Sequence, residues 1–314
     1  MRREHAVVLA TLLLSLSIGH EASANRRRLS GRSGPTFAGY TSSALPGGYL
    51  AIIYGQSNSI GNSGGGLPVS TTNGAPTSPP YNNYEYRTSA WARAYSDTGL
   101  ANTEVLGYGL LAQLTYASLV GGVPSIYAGM QTGGVNSQSY AQLQDGTSNW
   151  TNQWTEANAM RSGFAAQFPA AGTPSPMVVW LQGETDQALG TSRATYVADL
   201  LDLWQDVCDE TSAAPWSLAS CLPIYVVPYG GVTRLATSPS TTNGEQSEIV
   251  MAHYEACRDY PTRFICAHPG YASAMTALNE HYSGAGHRTN GAQIARVYRH
   301  REVLNDGWTF FRPS

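Results

Sequence analysis

Five short apolar runs, separated by longer stretches of helical periodicity, constrain the fold of this chain more than any other feature. The runs are Tyr49–Tyr54, Pro124–Met130, Met177–Leu181, Pro223–Val227 and Arg263–Ala267. Each is rich in β-branched or aromatic residues and ends in glycine or polar turns, the pattern of a strand buried on both faces. Between them, Glu104–Ser118 carries Val105, Leu106, Leu110, Leu111 and Leu114 at helical spacing, and Asn152–Phe168 and Glu245–Arg258 read as helices. Thr191–Glu210 is amphipathic, with Val197, Leu200, Leu201, Trp204 and Val207 on one face, and His287–Arg301 closes the series as a helix. This alternation predicts βαβ units and a three-layer α/β/α sandwich around a five-stranded parallel sheet.

The chain has 314 residues, and the predicted core occupies 49–314 as a single domain. Residues 1–24 have the layout of a secretory signal peptide: a charged head (Met1-Arg-Arg-Glu-His5), an apolar run from Ala6 to Gly19, and Ala22-Ser23-Ala24 as a cleavage signal. That run is shorter than the ~20 apolar residues of a membrane span, so an exported protein without a membrane anchor is expected, secreted or periplasmic. Residues 25–48, opening with Arg26-Arg27-Arg28 and continuing in Gly, Ser and Pro, read as a flexible arm. Leu67–Tyr86 is rich in Pro, Asn, Thr, Ser and Tyr without periodicity, and reads as a loop forming a wall or lid.

Charge narrows the function classes. The formal net charge is −3, and the signal segment's Arg2, Arg3, Glu4 and Glu21 cancel, so no electrostatic case for a nucleic-acid partner arises. All 18 basic residues are arginine, which excludes a Walker-type phosphate loop despite the glycines around Gly61–Gly66. Cys208, Cys221, Cys257 and Cys266 form an even set in an exported chain. Two disulfides are expected, preferably the local pairs Cys208–Cys221 and Cys257–Cys266; a zinc site is disfavoured because no Cys-x-x-Cys spacing occurs. No cofactor or metal is implied, and the oligomeric state stays open.

Three stretches fall just after strands, where a parallel sheet collects chemistry. The first, Gly55-Gln56-Ser57-Asn58, offers Ser57 as a nucleophile, although the glycine two residues past the serine of an α/β-hydrolase elbow is here Ser59. The second, Trp180-Leu-Gln-Gly-Glu-Thr-Asp186, offers the Gln182 amide as an oxyanion donor, with Glu184 and Asp186 at the same edge. The third, Asn279-Glu-His-Tyr-Ser-Gly-Ala-Gly-His-Arg288, offers His281 as a general base and His287 as its alternative; His253 and His268 read as structural or surface residues.

Taken together, these stretches resemble the SGNH hydrolases, in the branch of carbohydrate acetylesterases and sialate O-acetylesterase-like proteins. Gly-Gln-Ser-Asn resembles that family's nucleophile block and Trp-x-Gln-Gly-Glu-x-Asp its third block. His281 with Gly286, His287 and Arg288 is similar to its closing block, and Gly133-Gly134-Val-Asn-Ser to its Gly-Gly-Thr-Ser turn. The resemblance implies a flavodoxin-like sheet and a secreted serine esterase that removes acetyl groups from a carbohydrate. It assigns Ser57 and His281 to catalysis, the Ser57 N–H and Gln182 to the oxyanion, and Gln56, Asn58 and Glu184 to support. Where the family places an aspartate three residues before the histidine, this chain has Leu278. Either a Ser-His dyad operates, or a carboxylate such as Glu280 or Glu184 orients the imidazole. Gly107-Tyr108-Gly109 matches the family's glycine block poorly, leaving the second backbone oxyanion donor unassigned. The alternatives are a lipid or aryl ester hydrolase on the same scaffold and a non-catalytic carbohydrate-binding relative.

Overall fold

A computed structural model describes residues 48–60, 82–87, 89–93, 110–111, 113–114, 127–228, 248–267, 282 and 284–303. The signal segment, the arm, most of the expected wall over 67–86, Gly107–Gly109, His268, Leu278, Glu280 and His281 lie outside these residues. The described residues all belong to one compact unit, Leu45–Ser314.

All five predicted strands form, as β1 (Gly48–Gly55), β4 (Tyr127–Thr132), β5 (Pro174–Leu181), β6 (Ile224–Val226) and β7 (Phe264–Cys266). They are parallel to their neighbours, and β1 lies between β4 and β5. In order of prediction the arrangement is second, first, third, fourth, fifth, the flavodoxin-like order. The chain leaves β1 toward one side of the sheet and later returns to build the other side. A crevice therefore opens at the carboxyl end of β1, where Gln56, Ser57 and Asn58 follow.

The sheet has seven strands rather than five. The additional two are β2 (Asn82–Arg87), parallel to β4, and β3 (Ala90–Arg93), antiparallel to β2 at the sheet edge. Residues 82–86 correct the reading of 67–86 as loop throughout. Their only apolar signal is Tyr84 and Tyr86, two aromatic rings at alternate positions in a polar stretch. Those rings stack where apolar contact is needed, Tyr84 on Phe168 at 4.4 Å and Tyr86 on Trp91 at 5.0 Å.

The alternation of β1 divides the core. Tyr49, Ala51 and Ile53 pack on one face with Leu110, Leu111 and Leu114, helical residues within the expected 104–118 helix, and with Ile294, Val297 and Tyr298 of the last helix. Leu50, Ile52 and Tyr54 pack on the other face, against α1 (Ser148–Gln167), α3 (Arg193–Ser212) and α4 (Glu248–Asp259). All eight β1 residues are buried, so the strand has no solvated side and tolerates no polar alternate, as a central parallel strand requires. A short helix not expected from the sequence, α2 (Glu184–Leu189), follows β5, and α5 (Gly284–Tyr298) starts three residues earlier than predicted.

The buried stripe of α3 is Tyr196, Leu200, Leu203, Val207 and Thr211, with Val197, Leu201 and Trp204 half-buried beside it. Reading only apolar residues shifted the face, because Tyr196 and Thr211 bury their hydroxyls by bonding them internally. Both expected disulfides are formed: Cys208–Cys221 ties α3 to the segment before β6, and Cys257–Cys266 ties α4 to β7. Among the described residues no helix is long and apolar enough to cross a membrane.

Gly55 ends β1 with φ +146°, and a Cβ there would lie 2.0 Å from the Leu181 carbonyl oxygen. Both the dihedral and the close approach of β5 demand glycine. Gly55→Ala is expected to lower unfolding free energy by about 3 kcal/mol or to prevent folding, as read by urea denaturation; a loss under about 1 kcal/mol would show that β5 yields to the added methyl.

Candidate active site

The turn after β1 is held by its own side chains. Ser59 N–H and Ser59 Oγ both donate to the Gln56 carbonyl, at 2.8 and 2.7 Å, closing the turn around Ser57. Ser59 Oγ also reaches the Gly133 carbonyl at 3.1 Å, tying the turn to the segment after β4. Gln56 N–H donates to the Leu181 carbonyl at 3.1 Å, while Gln56 Oε1 accepts from the N–H groups of Gly183 and Thr185 at 3.4 and 3.3 Å. Gln56 thereby satisfies backbone donors at the start of α2, whose N-cap residue, Gly183, has no side chain to do so.

Asn58 is fully buried and faces two ways. Its Nδ2 donates to Glu184 Oε1 at 2.6 Å, and its Oδ1 accepts the Tyr282 N–H at 3.0 Å. This bond ties Tyr282, the residue after the predicted base in sequence, to the neighbour of the predicted nucleophile.

Glu184 is half-buried, but its Oε2 has no solvent contact and no hydrogen-bond partner among the described residues. Burial pushes its carboxyl from the ordinary 4.5 up to about 7, against the opposing pull of its own backbone N–H and of Asn58. A carboxylate this weakly solvated, with one oxygen unpartnered, is poised to accept a bond from a cationic or N–H donor.

Gln182 is also fully buried, and its amide orientation is set by partners. Tyr196 Oη donates to Gln182 Oε1, and Gln182 Nε2 donates to Asp186 Oδ2 and, at 3.2 Å, to the Gln138 carbonyl. Asp186 in turn accepts the Tyr140 N–H at 2.8 Å and the Thr191 hydroxyl at 3.2 Å. Tyr196 and Asp186 therefore fix which end of the Gln182 amide faces the Gln138 side. Tyr196 was read from the sequence only as part of a helix; only the packing of α3 beneath β5 reveals its role.

Gly133-Gly134 lies against the same turn. Gly133 N–H donates to the Ile53 carbonyl at 2.9 Å and Val135 N–H to the Gly55 carbonyl at 3.2 Å. Between them, Gly134 N–H has no acceptor among the described residues. A Cβ on Gly134 would lie 2.1 Å from Ser59 Oγ and 2.8 Å from the Gly55 carbonyl oxygen. This glycine is needed so that the two backbones approach.

The histidines differ in setting. His253 is buried edge-on to Tyr196 at 5.2 Å, and burial lowers it to about 3, consistent with a structural residue. His287 is buried within α5 beside the Tyr282 ring, 5.4 Å between centroids. The described geometry thus assembles Ser57, Gln56, Asn58, Glu184 and Gln182 at one end of the sheet, with Tyr282 brought to Asn58.

No protein-family model matches the sequence, and no curated protein is similar to it. Among solved structures, the fold is similar to a protein from Arabidopsis thaliana (14% identity, 81% of this chain and 98% of that one, TM-score 0.56). It is also similar to a carbohydrate acetylesterase from Xanthomonas citri, at 15% identity over 82% of this chain and a TM-score of 0.50. The match spans 57% of the length of the latter. The likeness is one of fold, an α/β sandwich with helices on both faces of the sheet.

Because Glu184 binds its proton more tightly folded than unfolded, its contribution is neutral below about pH 4.5 and turns unfavourable as the pH rises to about 7. Glu184→Gln keeps an acceptor for Asn58 without the charge. Its stability relative to wild type is expected to rise across that interval by up to about 3 kcal/mol, measured by denaturant titration at a series of pH values. An unchanging difference from acid to neutral pH would refute the buried charge.

Proposed function

We propose that this protein is an exported serine esterase that removes acyl groups, chiefly acetyl, from a carbohydrate or polysaccharide. The observation that carries the reading is the turn at the carboxyl end of β1. It holds Ser57 at the point where the strand order reverses, and its neighbour Asn58 holds the residue after His281. The carbohydrate acetylesterase of similar fold supports the choice of substrate class, and the two disulfides support an oxidising compartment.

In the proposed reaction His281 accepts the Ser57 hydroxyl proton as Oγ attacks the ester carbonyl. The carbonyl oxygen becomes an oxyanion held by the N–H groups of Ser57 and Gly134 and by the Gln182 amide. Gln182 must exchange its 3.2 Å bond to the Gln138 carbonyl for one to the oxyanion; Asp186 and Tyr196 keep the amide oriented while it does so. Collapse breaks the ester C–O bond, and His281 returns the proton to the departing sugar oxygen. Water, deprotonated by His281, then attacks the acyl-enzyme and releases the carboxylic acid with Ser57 restored. Glu184 is the proposed orienter of the imidazole in place of the residue at Leu278, the acceptor being its Oε2, which has no partner among the described residues.

Acetate release from acetylated xylan and from an aryl acetate tests the reading. Ser57→Ala and His281→Ala are expected to abolish it, while Gln182→Ala folds and loses ~10²–10³ in kcat. Equal rates for wild type and Ser57→Ala would sink the esterase reading. Loss on His287→Ala with His281→Ala intact would move the base to His287. Hydrolysis of the aryl ester alone would favour the lipid or aryl ester alternative.

A further inference from the structure

The reading above leaves open what fixes the distance between nucleophile and base, which stand on segments far apart in the chain. Positioning of this kind matters because a misplacement of about 1 Å in a catalytic pair costs on the order of 10²-fold in rate. Beyond the turn itself, and among the described residues, the side chains of Gln56 and Ser59 bond to the segments after β5 and β4. Asn58 joins the turn to the closing segment, its Oδ1 accepting the Tyr282 N–H at 3.0 Å.

We propose that Asn58 is a positioning residue that sets the general base against Ser57, clamping Tyr282 through one end of its amide while Glu184 dictates which end that is. The inference rests on the esterase reading with Ser57 and His281. The argument is one of hydrogen-bond polarity. An asparagine amide has one acceptor end and one donor end of nearly equal shape. The closing segment offers a backbone N–H, which only the oxygen end satisfies. The other end then points its N–H group at Glu184, and an ionised carboxylate, which is an acceptor only, rewards that orientation with a charge-assisted bond of 2.6 Å. Reversing the amide would set Oδ1 against the carboxylate and Nδ2 against the Tyr282 N–H, two repulsions in a site with no water-exposed surface on Asn58. Glu184 thus selects one of two amide orientations, and that orientation holds the Tyr282 backbone, and the residue before it, in place.

This chain of polarity, carboxylate to N–H to C=O to N–H, has a testable inverse. In Asn58→Asp two carboxyl groups meet across 2.6 Å. While they share one proton, protonated Glu184 donates to the new carboxylate, whose other oxygen still accepts from Tyr282, and the clamp persists. As the pH rises and the shared proton leaves, like charges separate the pair and the clamp opens. In the Glu184→Gln background the same substitution finds a neutral amide donor instead. The hydrogen-bond pattern is then complete at every pH.

The experiment is a double-mutant cycle of Asn58→Asp and Glu184→Gln, with kcat and KM for an aryl acetate measured from mildly acidic to alkaline pH, and Ser57→Ala as the control. Asn58→Asp in the Glu184 background is expected to lose kcat progressively toward alkaline pH, on the order of 10²-fold at the limit. KM should change little. The same substitution made in Glu184→Gln should cost about threefold or less relative to Glu184→Gln itself, without the alkaline decline. Using Glu184→Gln as its own reference removes any separate role of Glu184 in orienting the imidazole. If Asn58→Asp fails to fold, Asn58→Leu serves, deleting both bonds at similar volume, with the same order of loss in kcat expected. A pH-independent cost equal in both backgrounds, or full kcat in Asn58→Leu, overturns the clamp. Activity surviving in Ser57→Ala overturns instead the esterase reading on which it rests.

Discussion

The arrangement of this site depends on hydrogen bonds made by the side chains flanking Ser57. A turn leaving a parallel strand has few backbone partners of its own, because the ladder that held the strand has ended. Here Gln56, Asn58 and Ser59 supply the missing partners, and each reaches a different neighbour: the start of α2, the Glu184–Tyr282 pair, and the Gly133 carbonyl. All three are buried, so their bonds are made away from water, where an unmade one is costly. The turn and the three segments around it therefore hold position together.

Glycine permits this proximity. Gly55 lets β1 turn while touching the Leu181 carbonyl, and Gly134 lets the segment after β4 press on Ser59. The polar side chains can only reach their partners because the backbones have no Cβ in the way. Around this core of contacts, Tyr196 and Asp186 orient Gln182 through bonds to the two ends of its amide, and the Tyr140 N–H holds Asp186. Catalytic geometry of this kind is a property of supporting groups as much as of the reacting ones.

A buried carboxylate at such a place works against stability. Glu184 sits where burial favours its neutral form, yet it accepts from Asn58 and leaves one oxygen without a partner among the described residues. Structures keep a group of this kind where its charge has a task, and on the proposed reading that task is to orient an amide and an imidazole.

The sequence by itself determined the layers of the fold and the ends of the sheet where chemistry would fall. Runs such as Tyr49–Tyr54 and Met177–Leu181 are apolar without alternation, and only a sheet covered on both faces buries them; the four cysteines left three pairings open, of which the preferred local one is formed. Gln56, Ser57, Asn58, Gln182 and Glu184 were legible because each directly follows a strong strand. Strands β2 and β3 were not, since Tyr84 and Tyr86 carry an edge-side ladder in an otherwise polar stretch whose partner, β4, is remote in the chain. Nor were the roles of Tyr196, Asp186 and Gly134. Their identities are ordinary for a helix, a helix start and a turn, and what distinguishes them is which group each meets across the fold. Residue type and periodicity encode what a segment must bury; only the tertiary structure decides which buried polar atom faces which.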